Sequence, residues 1–318
     1  MKDMLIIIAM FAAAVLALSA PAYMHTPAPA PAAETVVFPE TVRLYMSETG
    51  ETVTLPAEEY IEGCLAAQIP IDYEPEALRA QACASATYAL RLMKDLAGSG
   101  KLPEGADISD DRKLCQPYMP EAGRTATYGA DYGKYRENLQ NAARYGISHI
   151  ITLGGEPIYA VYHSVSAGGT CPSEYIWGQT LPYLRRVDSP WDRSYINYEC
   201  ANEYRSEDIR VLLAKYDGAA EIPADPARWF TDLRADENGY VISVSIGKNV
   251  FSGGDMWRIL GLRSPSFTVS YIDNVFTFTT RGFGHGAGFS QYGANELAKS
   301  GSSAEEILHY YYGGEVMF

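Results

Sequence analysis

The chain has 318 residues, of which 47% are hydrophobic and 20% are charged. This balance supplies enough apolar material for a sizeable core and excludes a wholly disordered or fibrous protein. The formal net charge of −14 at pH 7 repels phosphate, which makes nucleic acids and anionic lipid headgroups poor partners. Tyrosine is abundant, with 24 residues, and its flat apolar ring with a hydroxyl at the edge suits ligands that are part apolar and part polar.

The N-terminal region begins with an apolar segment. Residues 4–20 are uncharged and almost wholly apolar, and they follow a single Lys2. This length is at the lower edge of what crosses a bilayer, so we expect residues 1–20 to be an uncleaved, single-pass anchor in the cell membrane, with the rest of the chain outside the cytoplasm. The alternative is a signal peptide removed after Leu18-Ser19-Ala20, which would give a secreted protein. Residues 21–38 are rich in Pro and Ala and predict an extended spacer before a domain that covers residues 39–318.

The five cysteines form no C-x-x-C pair, so no zinc ribbon or thioredoxin motif is indicated. A disulfide is possible outside the cytoplasm, but the number is odd. Cys64 and Cys83 fall inside apolar helical patterns and are interpreted as small buried hydrophobic residues.

The folded part begins with a hairpin and a helix. Alternating residues at 41–45 and 51–55, with a turn at 48–50, predict a β-hairpin. Pro56 then opens a helix, because proline is tolerated in the first helical turn, and Ile69-Pro70 ends it.

A second, alanine-rich helix begins at Pro75 and runs to about Leu96. On it Gln81, Ser85 and Tyr88 share one face. After it the sequence predicts a long loop at 100–129, a helix at 131–145 and a hairpin from 147–153 and 157–162. A helix at 206–216, with Ser206 as its cap, precedes a second hairpin from 229–235 and 240–246. The chain ends with a strand at 274–280 and a last helix whose capping box begins at Ser302 or Ser303. Hairpins and helices without a βαβ rhythm predict an α+β fold.

The most unusual segment is R-G-F-G-H-G-A-G-F-S-Q-Y-G-A at residues 281–294. Four glycines at every second position leave a backbone that another group can approach closely. A helix follows from about Ser290, with Gly301 placed to end it. The spacing matches neither G-x-G-x-x-G nor G-x-S-x-G. The segment is therefore either a ligand-binding loop or a structural turn in which His285 is a hydrogen bonder.

Three blocks of sequence now point to one family. The first, within residues 55–90, contains A-A-Q-I-P at 66–70 and E-A-L-R-A-Q-A at 76–82. The second, within residues 162–184, contains Y-H-S at 162–164, A-G-G-T at 167–170 and W-G at 177–178. The third contains L-R-S-P-S-F at 262–267, G-H-G-A-G-F-S-Q-Y-G-A at 284–294 and Y-Y-Y at 310–312. In these blocks, which span nearly everything after the spacer, the chain resembles the SpoIID/LytB family.

The resemblance implies a membrane-anchored peptidoglycan protein with a domain of short hairpins and helices around a glycan-binding cleft. Founding members of the family are lytic transglycosylases that act during forespore engulfment on glycan strands stripped of stem peptides. One Glu protonates the oxygen between N-acetylmuramic acid and N-acetylglucosamine, then takes the proton of the C6 hydroxyl to close a 1,6-anhydro ring. The resemblance therefore implies denuded glycan strands as the ligand, other sporulation and engulfment wall proteins as partners, and no cofactor.

The chain departs from the family pattern at the residue that carries the chemistry. The family's A-A-E-M-P segment reads Ala66-Ala67-Gln68-Ile69-Pro70 here, so Gln68 stands where the acid would be. An amide keeps the shape of Glu but has no proton of useful acidity. The arginine that the family carries before Thr87-Tyr88 is also replaced, by Ala86.

Two hypotheses follow. In the first the protein is a lytic transglycosylase, and a carboxylate near Gln68 in sequence supplies the acid: Glu59, Glu62, Asp72, Glu74 or Glu76. In the second it is a catalytically silent glycan-binding scaffold or regulator. A zinc-dependent amidase is disfavoured because the chain has no H-E-x-x-H.

The candidate site residues come from the matched motifs and from the shared helix face. Gln68 occupies the catalytic position, and the predicted substrate-binding residues are Gln81, Ser85, Tyr88, Tyr162, His163, Ser164, His285, Ser290, Gln291 and Tyr292. Some family members bind zinc through Cys and His in the loop that reads 109–116 here, where one cysteine remains. Cys115, His163 and Cys171 are the alternative ligands, but zinc requires three or four good ones and we expect no metal.

Overall fold

The computed structural model describes residues 36–216 and 222–318. The predicted anchor at residues 1–20 and residues 21–35 of the predicted spacer lie outside the described residues. Within the described part, no helix combines the length and the apolar character needed to cross a bilayer. Helices and small sheets alternate along the chain, which confirms the α+β prediction.

The predicted N-terminal hairpin is confirmed. β1 (Thr41–Met46) and β2 (Glu51–Pro56) pair in antiparallel register, and β3 (Ile108–Ser109) joins β1 in parallel. Alternation along β1 turns Val42 and Leu44 inward, where both side chains are fully buried.

The two predicted helices are also confirmed. α1 (Ala57–Gln68) begins after Pro56, and α2 (Pro75–Leu96) has its proline in the first turn. α2 lies between two hydrophobic cores, because Leu78 and Ala82 pack into one while Cys83 packs into the other. Its many alanines permit this close approach on both sides.

The prediction of one continuous loop at 100–129 is wrong at β3 and in its last part. α3 (Glu121–Tyr128) forms there and leads directly into α4 (Ala130–Ser148), the predicted amphipathic helix. α3 was not apparent in the sequence because its buried anchor is the charged Arg124 rather than an apolar stripe. The guanidinium of Arg124 lies 2.8 Å from the carboxylate of Glu62 on α1.

The hairpin predicted from 147–153 and 157–162 is much shorter than expected. Only β4 (Thr152–Leu153) and β5 (Glu156–Pro157) pair, because α4 continues through Ser148. Packing against α2 extends the helix: a Cβ at Gly146 would lie 2.5 Å from the backbone of Ala82, so the two helices meet at this glycine.

The second half contains the remaining short elements. They are β6 (Tyr162–His163), α5 (Ser173–Trp177), a 3-10 helix (Pro190–Ser194), β7 (Glu199–Arg205), α6 (Ser206–Ala214), a 3-10 turn (Pro226–Arg228), β8 (Thr231–Ala235), β9 (Val241–Ile246), β10 (Asn249–Phe251), α7 (Gly253–Leu260), β11 (Phe267–Ile272), β12 (Val275–Arg281), β13 (Phe289–Ser290), α8 (Gln291–Lys299) and α9 (Ala304–Tyr312). The sheets run in the order β10-β9-β8 and β11-β12-β7, and β13 pairs with β6.

Local signals in this half are largely confirmed. β8 and β9 flank the Asn238-Gly239 turn, and Ser303 forms a reciprocal capping box with Glu306 at the start of α9. Ser206 does not cap α6, because its hydroxyl donates instead to the carbonyl and side-chain oxygens of Asn274. All five cysteines are free, and Cys64 and Cys83 are buried as predicted.

Candidate functional site

The glycine-rich segment and the Tyr162-His163-Ser164 segment meet as a short parallel strand pair. Phe289 lies opposite Tyr162, and Ser290 lies opposite His163. Gly284 has φ +98°, and a Cβ on it would lie 2.9 Å from the Cβ of His163. The glycine is therefore required here for both its backbone angle and its close approach.

Gln68 lies at the C-terminal end of α1 with both ends of its amide hydrogen-bonded. Its Nε2 donates to the Cys64 carbonyl at 2.9 Å, and its Oε1 accepts from the phenol of Tyr162. The same phenol lies 2.8 Å from Oε1 of Gln116, which sequence reasoning did not select. Two amide oxygens thus compete for one phenolic proton. Burial raises the pKa of Tyr162, so the phenol stays protonated and remains a donor.

Two residues of the predicted face of α2, Gln81 and Ser85, lie in the interior. Gln81 donates to the Ser85 hydroxyl at 3.1 Å and accepts from Gln291 at 3.0 Å, while Gln116 donates to the Ser85 carbonyl at 3.1 Å. Gln81 and Ser85 are both 0% exposed. These side chains are therefore placed to hold Tyr162 and α8 in position rather than to present a surface to a ligand.

The two histidines of the matched motifs are neighbours, with ring centroids 5.8 Å apart. His163 donates from Nδ1 to the Ala287 carbonyl, whereas His285 accepts at Nδ1 from the Ala287 N–H, each at 3.1 Å. Burial, followed by the presence of His285, lowers the pKa of His163 to about 3, and burial lowers the pKa of His285 to about 4. Both rings are neutral at neutral pH.

An aromatic cavity adjoins this centre. It has a volume of about 360 Å³ and is lined by Tyr88, Arg91, Tyr159, Val161, Trp177, Gln179, Leu181 and Leu184. Val161 directly precedes Tyr162, and the Trp177 ring lies 5.2 Å from the His285 ring. Among the predicted substrate-binding residues, only Tyr88 lines the cavity. Tyr88 was selected because it shares a helix face with Gln81 and Ser85.

The remaining motif residues surround a buried carboxylate, that of Asp192. It accepts from the Ser166 N–H at 2.8 Å and from the Ser290 hydroxyl at 2.8 Å, and burial raises its pKa to about 6. Ser290 thus anchors α8 to Asp192. Nothing in the sequence around Asp192 singles it out.

Tyrosines form a second aromatic group beside α8. The main-chain N–H of Tyr292 donates to the Ser164 carbonyl at 3.0 Å, and its ring lies edge-to-face on Tyr195 at 5.2 Å. The pKa of Tyr73, which follows α1, is raised first by burial and then by the hydroxyls of Tyr195 and Tyr292. Aromatic side chains therefore lie near both Gln68 and the start of α8.

The carboxylates that are near Gln68 in sequence have other partners or positions. Glu62 pairs with Arg124 and accepts at 2.7 Å from the Tyr132 hydroxyl, in the interior. Glu76 accepts from the Ala304 N–H at 2.9 Å and so caps α9. Asp72 and Glu74 are exposed, and Glu59 lies beside Arg124 in a separate charged cavity.

The alternative zinc ligands are not brought together. In residues 36–216 and 222–318, no group of three or more His, Cys, Asp or Glu side chains could hold a metal ion. The Cys171 thiol is buried and faces the Pro172 carbonyl, and burial raises its pKa, which disfavours the thiolate that a metal needs.

Sequence reasoning missed Gln116, Asp192 and the cavity wall formed by Arg91, Tyr159 and Trp177. Trp177 lies inside a matched motif, so the motif itself was the available signal. Arg91 lies three residues after Tyr88 on α2, a spacing that brings two side chains to the same side of a helix, so this spacing was the available signal for Arg91.

Comparison with known proteins finds a family model and several relatives that this chain resembles. A family model described as stage II sporulation protein (SpoIID) matches residues 45–152. Stage II sporulation protein D of Bacillus amyloliquefaciens is 34% identical over 280 residues, which cover 87% of this chain and 78% of that protein. The Bacillus subtilis (strain 168) protein of the same name is 32% identical over 279 residues, with the same coverage.

A more distant relative is the amidase enhancer of Bacillus subtilis (strain 168). It is 23% identical over 311 residues, which cover 81% of this chain but 40% of that protein. The two sporulation proteins, by contrast, match this chain over most of both lengths. The chain therefore belongs to the stage II sporulation protein D family of sporulation proteins.

Proposed function

We propose that this protein binds glycan strands of peptidoglycan and acts as a scaffold or regulator of wall remodelling during sporulation, without cutting the strands efficiently. The observation that carries the proposal is the Gln68 amide, which is hydrogen-bonded at both ends and whose partner Tyr162 directly follows Val161 of the aromatic cavity wall. Aromatic walls with a few polar groups suit sugar rings, which have apolar faces and polar edges.

The absence of efficient cleavage follows from the chemistry of the amide. Transglycosylation requires one group that first gives a proton and then takes one, and Gln68 does neither. Loss of a positioned general acid typically costs about two to four orders of magnitude in rate. Glu62 and Glu76 are committed to Arg124 and to the α9 cap, so they do not supply a substitute. One relative is named an amidase enhancer, which is consistent with a role in promoting another enzyme.

The second candidate function is lytic transglycosylase activity, as in the founding members of the family. Asp192 favours it, because burial raises the pKa of this carboxyl to about 6 and an acid of that pKa keeps a useful fraction of its protons near neutral pH. However, Asp192 is 0% exposed and its oxygens accept from Ser166 and Ser290. It would reach a ligand only after the 163–170 loop or the start of α8 had moved.

The proposed location is the outer face of the cell membrane, with residues 1–20 as a single anchor. The apolar run at residues 4–20 supports this, as does the proposed ligand, which lies outside the cytoplasm. Other wall proteins of sporulation and engulfment are the proposed partners.

The test is a binding and cleavage assay with purified protein and denuded glycan strands. We expect strand binding without release of 1,6-anhydro-muramyl products. Trp177→Ala should weaken binding by about 30-fold or more, as expected for loss of an aromatic hot spot, because this 45% exposed ring forms a cavity wall. Trp191→Ala is the matched control, since Trp191 packs on Tyr310 and does not line the cavity. Anhydro products from the wild type would favour the transglycosylase, and absence of binding would reject both candidates.

A further inference from the structure

The aromatic cavity has one charged wall. Among the described residues that line it, Arg91 alone carries a formal charge, and it lies beside the aromatic rings of Tyr88, Tyr159 and Trp177. A neutral sugar ring needs hydrogen-bond donors and acceptors but no full charge. Arg91 is therefore the group in the cavity wall that is suited to an anionic part of a ligand.

The Arg91 guanidinium is held in a fixed plane. It lies over the Tyr159 ring at 4.4 Å from the centroid, and its Nη2 donates to the Tyr159 hydroxyl at 3.1 Å. Its Nε reaches Asp95 at 3.3 Å, and this pair is partly exposed, with 25% and 33% of the two side chains accessible. Exposed ion pairs of this kind contribute little, and Asp95 also accepts from the Tyr159 hydroxyl at 2.6 Å.

One side of the guanidinium remains available. Nε and Nη2 make the hydrogen bonds just described, and Nη1 donates to no partner within residues 36–216 and 222–318. Nη1 and the second N–H of Nη2 form the outer edge of the guanidinium, and an edge of this kind in a fixed plane can bind a carboxylate through two parallel N–H bonds.

We propose that Arg91 is a specificity-determining residue that binds the lactyl carboxylate of a muramic acid ring held in the aromatic cavity. This inference rests on the proposed function. In peptidoglycan that lactyl carboxyl is free only where the stem peptide has been removed; elsewhere it is an uncharged amide that carries a chain. Arg91 therefore selects stripped strands over peptide-bearing ones. Where the family has an arginine, this chain has Ala86. Arg91 supplies a cation on the same helix, further toward its C-terminal end.

The test compares three glycans of equal length: denuded strands, peptide-bearing strands and chitooligosaccharides, which contain no lactyl group. The wild type should bind denuded strands most strongly. Arg91→Gln should lower affinity for denuded strands by about 10- to 100-fold, as expected for loss of a charge-assisted hydrogen bond. The loss of affinity for chitooligosaccharides should be smaller than the loss for denuded strands, because chitooligosaccharides carry no carboxylate for Arg91 to bind. Arg91→Lys, which keeps the charge but not the planar fork, should fall between.

The control is Arg234→Gln, the same change at an exposed arginine on β8 that does not line the cavity. A measurement on the unaltered protein keeps the test independent of variant folding: added salt should reduce the preference for denuded strands and leave chitooligosaccharide binding nearly constant. Equal wild-type affinity for denuded strands and chitooligosaccharides would overturn the inference while leaving glycan binding intact. Failure of the wild type to bind any of the three glycans would overturn the proposed function as well.

Discussion

The phenol of Tyr162 donates a hydrogen bond to the amide oxygen of Gln68, while the amide nitrogen of Gln68 donates to the carbonyl of Cys64. A glutamine satisfies both partners. A carboxylate would satisfy only Tyr162, because its second oxygen would face another acceptor. A protonated carboxylic acid again satisfies both. The surroundings of position 68 therefore favour a neutral side chain of this shape, which is also the condition that a general acid requires.

The first prediction is that Gln68→Glu creates transglycosylase activity. The Cys64 carbonyl should raise the pKa of the new carboxyl above its ordinary value, since the charged form meets an acceptor. Release of anhydro-muramyl products from denuded strands should rise by about 10²- to 10⁴-fold over the wild type. Chromatography of reduced products measures this directly.

The matched control is Gln116→Glu, the same change in the second glutamine whose Oε1 faces Tyr162. Gln116 is buried and donates to Tyr60 and to the Ser85 carbonyl, so a carboxyl there should add no activity. If the wild type cleaves as fast as Gln68→Glu, the acid lies elsewhere. Asp192→Asn would then be expected to abolish that activity.

The second prediction concerns the shared proton of Tyr162. Tyr162→Phe leaves Oε1 of Gln68 and Oε1 of Gln116 without this donor, and a buried unsatisfied polar group costs about 1–3 kcal/mol. The free energy of unfolding in urea should fall by that amount. Tyr45→Phe is the control, because the hydrogen bonds seen at Tyr45 in the part of the chain that the structure describes go to its main-chain carbonyl, so loss of its hydroxyl should leave stability unchanged. Equal stability of the two variants would contradict the shared-proton interpretation.

How much of this site the sequence predicts depends on how local each contact is. Pro56, Pro75 and the Ser303–Glu306 box act within a few residues, so the sequence predicted the helix starts correctly. Gln116 was missed because its partners Tyr60, Ser85 and Tyr162 come from three distant segments.

Burial changed the interpretation of residues that the sequence did select. Gln81 and Ser85 share the predicted face of α2, but helical spacing alone does not distinguish a face that lines a cleft from one that packs inside. Arg124 similarly anchors α3 through its ion pair with Glu62, a tertiary contact that leaves no apolar periodicity in the sequence.

The third prediction is a pH dependence of stability carried by His163. An unfolded histidine takes up a proton near pH 6.5, whereas burial holds the pKa of folded His163 at about 3. Between these values the unfolded state binds more protons, so the free energy of unfolding falls as the pH falls, by at most about 1.4 kcal/mol per pH unit for this one group.

The measurement compares urea unfolding of the wild type and His163→Gln from pH 7 to pH 4. The wild type should lose its advantage over the variant as the pH falls. Asp192 has the opposite effect, because its raised pKa of about 6 makes the free energy of unfolding fall as the pH rises. Both proteins contain Asp192, so its contribution cancels in the difference between them. A difference between the two proteins that does not change with pH would contradict the assignment of a neutral buried His163.

The last prediction links a glycine on α1 to the centre of the site. A Cβ on Gly63 would lie 2.2 Å from the Tyr118 ring and 2.9 Å from the Met119 carbonyl oxygen. Gly63 thus lets the segment that contains Gln116 pack on α1, with the Met119 N–H donating to the Gly63 carbonyl at 3.1 Å. Gly63→Ala should lower the free energy of unfolding by about 1–3 kcal/mol through overpacking, and it should weaken glycan binding because Gln116 is displaced from Tyr162.

Gly133→Ala is the matched control, since Gly133 lies inside α4 with open space where the Cβ would go. There the same change should raise stability by about 0.4–1 kcal/mol, because alanine loses less conformational entropy on folding, and glycan binding should not change. If Gly63→Ala is as stable as the wild type and binds glycan equally well, contact between α1 and the Tyr118 segment does not position Gln116.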